Sequence, residues 1–250
     1  MKNYILITGA SSGVGRETAI HLSKNNNLIL NGRDETRLQE TKDLCEKNSD
    51  VLIWKFDLVR SDKLEEDFSS WLREKNIQIE SLVYSAGMLR MLPLRGLSLE
   101  DFQRIYSLHV YSPALLVKML NSRKINKQTL KNVVFISSNI SNRGAAAFSA
   151  YGSSKAALDG LMRNLAVELA PKVRLNSILP GGMVTRMTTG IYNSESILED
   201  AKKNVPLGQG SPKDIAPVVE FLLSPASAWM TGQQITVDGG RTIDITDGRK

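Results

Sequence analysis

Tyr4-Ile-Leu-Ile-Thr8 runs without a break into Gly9-Ala-Ser-Ser-Gly13-Val-Gly15, and that turn runs into Arg16-Glu-Thr-Ala-Ile-His-Leu22. A short apolar run with no polar alternation is what a parallel strand covered on both faces requires. The glycines let the backbone bend and approach a pyrophosphate closely. The helical pattern behind them offers free N–H groups and a positive dipole end to the same anion. Strand, turn and helix together predict a phosphate site built from Gly9, Ser11, Ser12, Gly13, Val14 and Gly15. Its spacing is Gly-x3-Gly-x-Gly, which differs from the common Gly-x-Gly-x-x-Gly fingerprint.

Further apolar runs follow at intervals. Leu28-Ile-Leu-Asn31, Val51-Leu-Ile-Trp-Lys-Phe56, Ser81-Leu-Val-Tyr-Ser85, Asn132-Val-Val-Phe-Ile-Ser-Ser138, Val173-Arg-Leu-Asn-Ser-Ile-Leu179 and Gln234-Ile-Thr-Val-Asp238 all read as strands. Helical patterns separate them, including one over 61–75 with Leu64, Phe68, Trp71 and Leu72 on its packed side. Another starts at an N-cap, Ser98, and runs toward Leu120 with an expected kink at Pro113. Alternation of this kind predicts a single α/β domain, a doubly wound parallel sheet with helices on both faces. Residues 185–204 are long and polar enough for a lid over a substrate, and 241–250 form a polar tail expected to fray.

The chemistry centres on 138–155. Tyr151 and Lys155 lie four apart on a helix-forming run that ends at Pro171, so phenol and ammonium share one face. A phenol ordinarily titrates near ~10, and a cation within ~4–6 Å is expected to lower that by roughly 1–3 pH units. The pair therefore reads as a general acid/base, with Ser138 at a strand end offering its hydroxyl to a substrate oxygen. That suits carbonyl reduction or alcohol oxidation.

At the end of the second strand, Asn31-Gly32 stands where a carboxylate would bind the adenosine ribose of NAD, and Arg33 follows. A guanidinium can clamp a 2′-phosphate, so the pattern favours NADP(H) over NAD(H). Asp57 after the third strand is placed for the adenine rim. Arg90 and Arg95 are expected near the site entrance, where they either attract an anionic substrate or, the favoured reading, are solvated loop residues.

Composition narrows the alternatives. The chain has 250 residues, 42% of them apolar, enough for a sizeable core. A lone Cys45 excludes an internal disulfide and a multi-cysteine metal site and suits a reducing compartment. His21 and His109 are far apart in sequence, so no metal is expected. No apolar run reaches membrane-spanning length and no signal peptide opens the chain; a cytoplasmic protein is expected, with no membrane partner. The net charge of +6 is scattered among 26 acidic residues, which argues against a nucleic-acid partner.

Thr8-Gly9-x3-Gly13-x-Gly15, Ala86-Gly87, Ser138, Tyr151-x3-Lys155, Pro180-Gly181-x3-Thr185 and Val237-Asp238-Gly239-Gly240 occur in this order. In that combination nearly the whole chain resembles the short-chain dehydrogenase/reductase family, including its 3-oxoacyl-acyl carrier protein reductase-like members. The resemblance implies a Rossmann fold with strand order 3-2-1-4-5-6-7 and an oxidoreductase acting on CH–OH groups through a nicotinamide dinucleotide. It implies Tyr151 as acid/base, Ser138 orienting the carbonyl and Lys155 holding the ribose hydroxyls. It also implies a cofactor wall that includes Leu58, Ala86, Gly87, Pro180, Gly181, Met183 and Thr185, with Thr185 at the nicotinamide end. A homodimer or homotetramer is implied, pairing the helices of 98–120 and 151–170. A substrate class of acyl thioester, keto sugar or small ketone follows from the same likeness. A non-catalytic dinucleotide sensor on this fold is the rival reading. Two departures stand out: Tyr84-Ser85-Ala86-Gly87 replaces the usual Asn-Asn-Ala-Gly, and His109 stands where the family has a helix Asn. His109 either holds a water of the proton relay, or protonates and disturbs Lys155, or is a packed helix residue.

Overall fold

Burial alternates between two cores along β1 (Asn3–Thr8): Leu6 packs into one hydrophobic cluster, Ile5 and Ile7 into another. β2 (Asn27–Gly32) repeats the pattern, with Ile29 on the side of Leu6 and Leu28 and Leu30 on the other. Side chains alternate across a strand, so a continuous apolar run can serve both faces only if both are covered. The computed structural model describes residues 2–192, 194–196, 199 and 203–244.

All the sheet's ladders are parallel, in the order β3-β2-β1-β4-β5-β6-β7. Here β3 is Val51–Lys55, β4 Gln78–Tyr84, β5 Asn132–Ile136, β6 Arg174–Pro180 and β7 Gln234–Val237. β1 lies between β2 and β4, with Leu6 opposite Ile29 on one side and Leu82 on the other. The order implied by the family resemblance is therefore the one observed.

Helices α1 (Gly13–Leu22) and α2 (Glu35–Asp43) cover the face of Ile5 and Ile7. The opposite face carries α3 (Leu64–Lys75), whose Leu64, Phe68 and Leu72 are buried at helical spacing. There Trp54 stacks on Phe56 at 5.5 Å and meets Phe68 at 4.6 Å, while its indole N–H donates to Asp67.

The long fourth helix is interrupted. Ser98 caps α4 (Leu99–Tyr106) through a capping box with Asp101, as its position predicts. Residues Ser107–Tyr111 then form a π turn before α5 (Ser112–Leu120). Pro113 has no N–H to return to the preceding turn. The Leu108 carbonyl is satisfied instead by the Tyr84 hydroxyl at 2.6 Å. The expected kink is thus a widened turn lying before the proline.

A four-residue helix, α6 (Arg123–Asn126), ends in a buried plug. Asn126 accepts from Ile79 N–H and donates to the carbonyls of Ile79 and Leu120, at 2.7–2.9 Å. α7 (Ser149–Leu169) packs beside β6, and α8 (Ala216–Leu223) returns to the face of α1. Asn126→Ala orphans the buried Ile79 N–H and removes a donor from the Leu120 carbonyl, while the Ile79 carbonyl keeps Thr129 Oγ1. It should cost about 3 kcal/mol, read as a lower urea midpoint at unchanged slope.

Candidate active site

Chain connections leave β1 toward one edge of the sheet and β4 toward the other, so a crevice opens at their carboxyl ends. A cavity of about 940 Å³ fills it. Gly9 lies at its base in a left-handed conformation, φ +65°, where a Cβ would come within 2.9 Å of the Ser85 and Ala86 backbone. Thr8 Oγ1 accepts from the N–H groups of both those residues at 3.0 Å, which locks the end of β4 against the glycine turn.

The turn fits a pyrophosphate. Ser12, the N-cap of α1, makes no side-chain cap bond, so the helix's first amides stay free beside a cavity lined by Ser11, Ser12, Gly13 and Val14. Gly15 does not line it; a Cβ there would overlap the Gly9 carbonyl, so this glycine seats α1 against the turn. Thr185 closes over the opposite side, 3.8 Å from where a Gly13 Cβ would lie. Its own turn is tied by Thr188, which bonds both Thr185 N–H and the Met183 carbonyl.

At the far end, Arg33 and Arg37 both line the cavity. Arg37 was absent from the sequence reading, although it stands four residues on from Arg33 at helical spacing. Its guanidinium donates to the Ser11 carbonyl at 3.1 Å. Asp34, the acid between them, is occupied as the N-cap of α2, accepting from Arg37 N–H. Asn31 Nδ2 bridges to the carbonyls of Trp54 and Phe56, and its Oδ1, at the cavity wall, has no partner among the described residues. Asp57 and Leu58 lie beside it, with an Asp57 carboxylate oxygen accepting from Val59 N–H.

Ser138, Tyr151 and Lys155 meet on the same cavity, together with Ala86, Gly87, Pro180, Gly181 and Met183. The electrostatics between them differ from expectation. Lys155 is 4% exposed and its Nζ donates to the Ile136 carbonyl at 2.8 Å, lying 5.9 Å from the Tyr151 ring centroid. Burial lowers its affinity for a proton to a pKa of about 8, against the attraction of Asp159. Burial also raises the Tyr151 phenol above its ordinary value, opposed by a Ser138 hydrogen bond. The expected lowering by Lys155 is therefore corrected: the ammonium is turned to a backbone carbonyl, and desolvation of the phenol dominates.

His109 stands behind the wall rather than on it. It is fully buried in the π turn and held well below the ordinary imidazole range, by burial first and the Lys155 charge second. Nε2 accepts the Met88 N–H at 3.1 Å, which leaves the proton on Nδ1. Nδ1 lies 2.8 Å from Ser154 Oγ, whose hydroxyl donates to the Tyr151 carbonyl. Both ring nitrogens are taken, so neither is left to hold a relay water, and the ring is kept neutral. This is the packed alternative: the imidazole ties the segment after Gly87 to Ser154 in the second turn of α7, and its edge meets the Tyr151 ring.

Arg90 and Arg95 are exposed on the connection between β4 and α4, as the favoured of their two readings has it. Arg90 pairs with Asp101 at 2.9 Å, and neither it nor Arg95 lines the cavity. Arg104, Arg143, Arg186 and Arg241 do, while Asp34 and Asp57 are the acidic residues among the described lining. The first part of the expected lid contributes Met187, Ile191 and Tyr192, and several residues of 193–202 lie outside the described set. Of the tail expected to fray over 241–250, Arg241 and Thr242 are held by hydrogen bonds to the Asn204 carbonyl and Asp238, and 245–250 lie outside the described residues. No helix among the described residues is long and apolar enough to cross a membrane. No group of metal-ligating side chains is found among them.

The profile of the family described as Enoyl-(Acyl carrier protein) reductase matches residues 9–242. A 3-oxoacyl-[acyl-carrier-protein] reductase of Aquifex aeolicus is 33% identical over 94% of this chain and 95% of its own. A vibriobactin-specific 2,3-dihydro-2,3-dihydroxybenzoate dehydrogenase of Vibrio cholerae is 30% identical over 96% of each. Among solved structures, a 4-hydroxyisoleucine dehydrogenase complexed with NADH superposes with a TM-score of 0.88 at 26% identity, covering 97% of this chain and 99% of that one. The chain belongs to the short-chain dehydrogenase/reductase family of oxidoreductases.

The buried Lys155 gives a signed expectation. Below about pH 8 both folded and unfolded chains carry its proton, so the cost of burying the charge is fully present. Between about 8 and the ordinary 10.5 the folded protein sheds the proton first and that cost is relieved. Relative to Lys155→Met, wild-type stability should climb across this window by up to about 3 kcal/mol, measured by urea unfolding at each pH.

Proposed function

We propose that the protein is an NADP(H)-dependent oxidoreductase that reduces a carbonyl compound to a secondary alcohol, or runs the reverse. The observation that carries this is the convergence of Ser138, Tyr151 and Lys155 on the cavity whose floor is the uncapped start of α1. A bound nicotinamide dinucleotide supplies the hydride. Ser138 donates to the substrate oxygen and fixes its direction. Tyr151 gives its proton to the oxygen as negative charge develops there. Lys155, on the same wall, would hold the ribose hydroxyls of the bound cofactor, while the Ser138 hydrogen bond favours the phenolate left behind. Phe148 and His109 meet the Tyr151 ring edge-on at 6.0 and 5.7 Å, which limits its motion.

Support for the phosphorylated cofactor is electrostatic. Arg33 and Arg37 line the adenosine end; of the two carboxylates there, Asp34 is consumed as a helix cap and Asp57 accepts from Val59 N–H. Two guanidinium groups suit a 2′-phosphate, which NAD(H) lacks. The further arginines around the cavity favour substrates that carry an anionic group. Exposed apolar residues on α4 and α7, Leu99 and Val167, support a homodimer or homotetramer through those helices.

Incubation with NADPH and a panel of ketoacyl thioesters, keto sugars, keto acids and diketones, followed by loss of NADPH absorbance, tests the reading. Binding of NADPH with no turnover across the panel would favour a dinucleotide sensor. Tyr151→Phe should reduce turnover at least about 1,000-fold while leaving NADPH affinity within about twofold. Replacing Arg33 and Arg37 together by Ala should weaken NADPH roughly 100-fold, by two charge-assisted contacts of about 1.5 kcal/mol each. NADH binding should change little in the same titration.

A further inference from the structure

Asp159 lies one turn beyond Lys155 and two beyond Tyr151 on α7, so the three side chains share one helix face. It is 1% exposed. Oδ2 accepts the Ser137 hydroxyl at 2.9 Å, and Oδ1 has no hydrogen-bond partner among the described residues. A carboxylate this deeply buried is unfavourable unless a countercharge shares the interior. Lys155 is that countercharge, itself nearly sealed from solvent. The two form no direct ion pair, because Lys155 Nζ points to the Ile136 carbonyl. Their attraction acts across a low-dielectric interior, where it is screened far less than at a surface.

The partners of the two charges are consecutive. Lys155 holds the carbonyl of Ile136, Asp159 holds the hydroxyl of Ser137, and the next residue is Ser138. We propose that Asp159 is a positioning residue for the Tyr151–Lys155 pair: anchored by Ser137, its carboxylate keeps the Lys155 amine protonated inside the protein. This rests on the assignment of Lys155 under the proposed function, but the charge relation does not need a substrate.

The groups facing Lys155 leave Asp159 this role. His109, in the π turn, is kept uncharged by burial, and the lysine's own charge opposes its protonation. Tyr151 is held in its neutral form by burial. Ile136 to Ser138 contribute only neutral groups. Against the desolvation that draws Lys155 down to about 8, Asp159 is the anion that acts in the other direction.

Carbon-13 labelling of lysine Cε and an NMR pH titration read the Lys155 midpoint directly, with Lys155→Met assigning the resonance. Asp159→Asn, close in shape but neutral, should lower the midpoint by at least about one pH unit. Ser137→Ala removes the hydrogen bond but keeps the charge, so the midpoint should stay near that of the wild type. If Asp159→Asn does not fold, Asp159→Ser carries the same expectation in less volume. A Lys155 midpoint in the neutral variant equal to wild type overturns the proposal, as does an equal fall in Ser137→Ala. Neither result depends on turnover, which Tyr151→Phe tests separately.

Discussion

The contact of the Gly9 turn with the Ser85–Ala86 backbone sets the terms for the rest of the molecule. With a Cβ excluded and Thr8 holding both N–H groups, β1 and β4 stay paired up to the point where the chain must leave them in opposite directions. A parallel sheet can hold an elongated anionic ligand there, because helix amides and strand ends converge on one crevice. Each wall is placed relative to that contact. α1 begins four residues after Gly9, Gly15 backs onto it, and the Thr185–Thr188 turn closes from β6.

Burial sets the chemistry of that crevice as much as charge does. Lys155, His109 and Asp159 are buried and Tyr151 is half-buried on the cavity wall, and their protonation follows from which partners compensate the lost hydration. His109 gives both nitrogens to neutral partners and stays uncharged. Lys155 has a carbonyl and a more distant carboxylate and keeps a weakened hold on its proton. The helix period brings the hydroxyl, the ammonium and the carboxylate into one column, so a single element carries the acid/base group and the charges that govern it.

Much of this was legible from residue order. Unbroken apolar runs such as Tyr4 to Ile7 require two covered faces, and glycines followed by helix-forming residues define one kind of turn. Those inferences depend on local periodicity, which a single chain displays. The orientation of side chains was not legible. Lys155 can reach a phenol or a carbonyl from the same position, and only the placement of Ile136 decides between them. Arg90 sits within reach of a cavity in sequence terms but is claimed by Asp101, an N-terminal residue of the next helix. Arg37 and Asp159 carried a signal, the four-residue helical spacing from Arg33 and Lys155, that needed the tertiary site to give it meaning.

The π turn at Ser107–Tyr111 amounts to one surplus residue in an otherwise regular helix. Helical phase advances about 100° per residue, so the surplus rotates everything downstream relative to α4. In that rotated phase Leu116, Val117 and Leu120 are buried, while His109 occupies the bulge itself. Shortening the segment to an unbroken α-helix would leave either the α4 face or the α5 face out of register with the sheet. The irregularity therefore lets one rod serve two surfaces, the crevice on one side of it and the hydrophobic interior on the other.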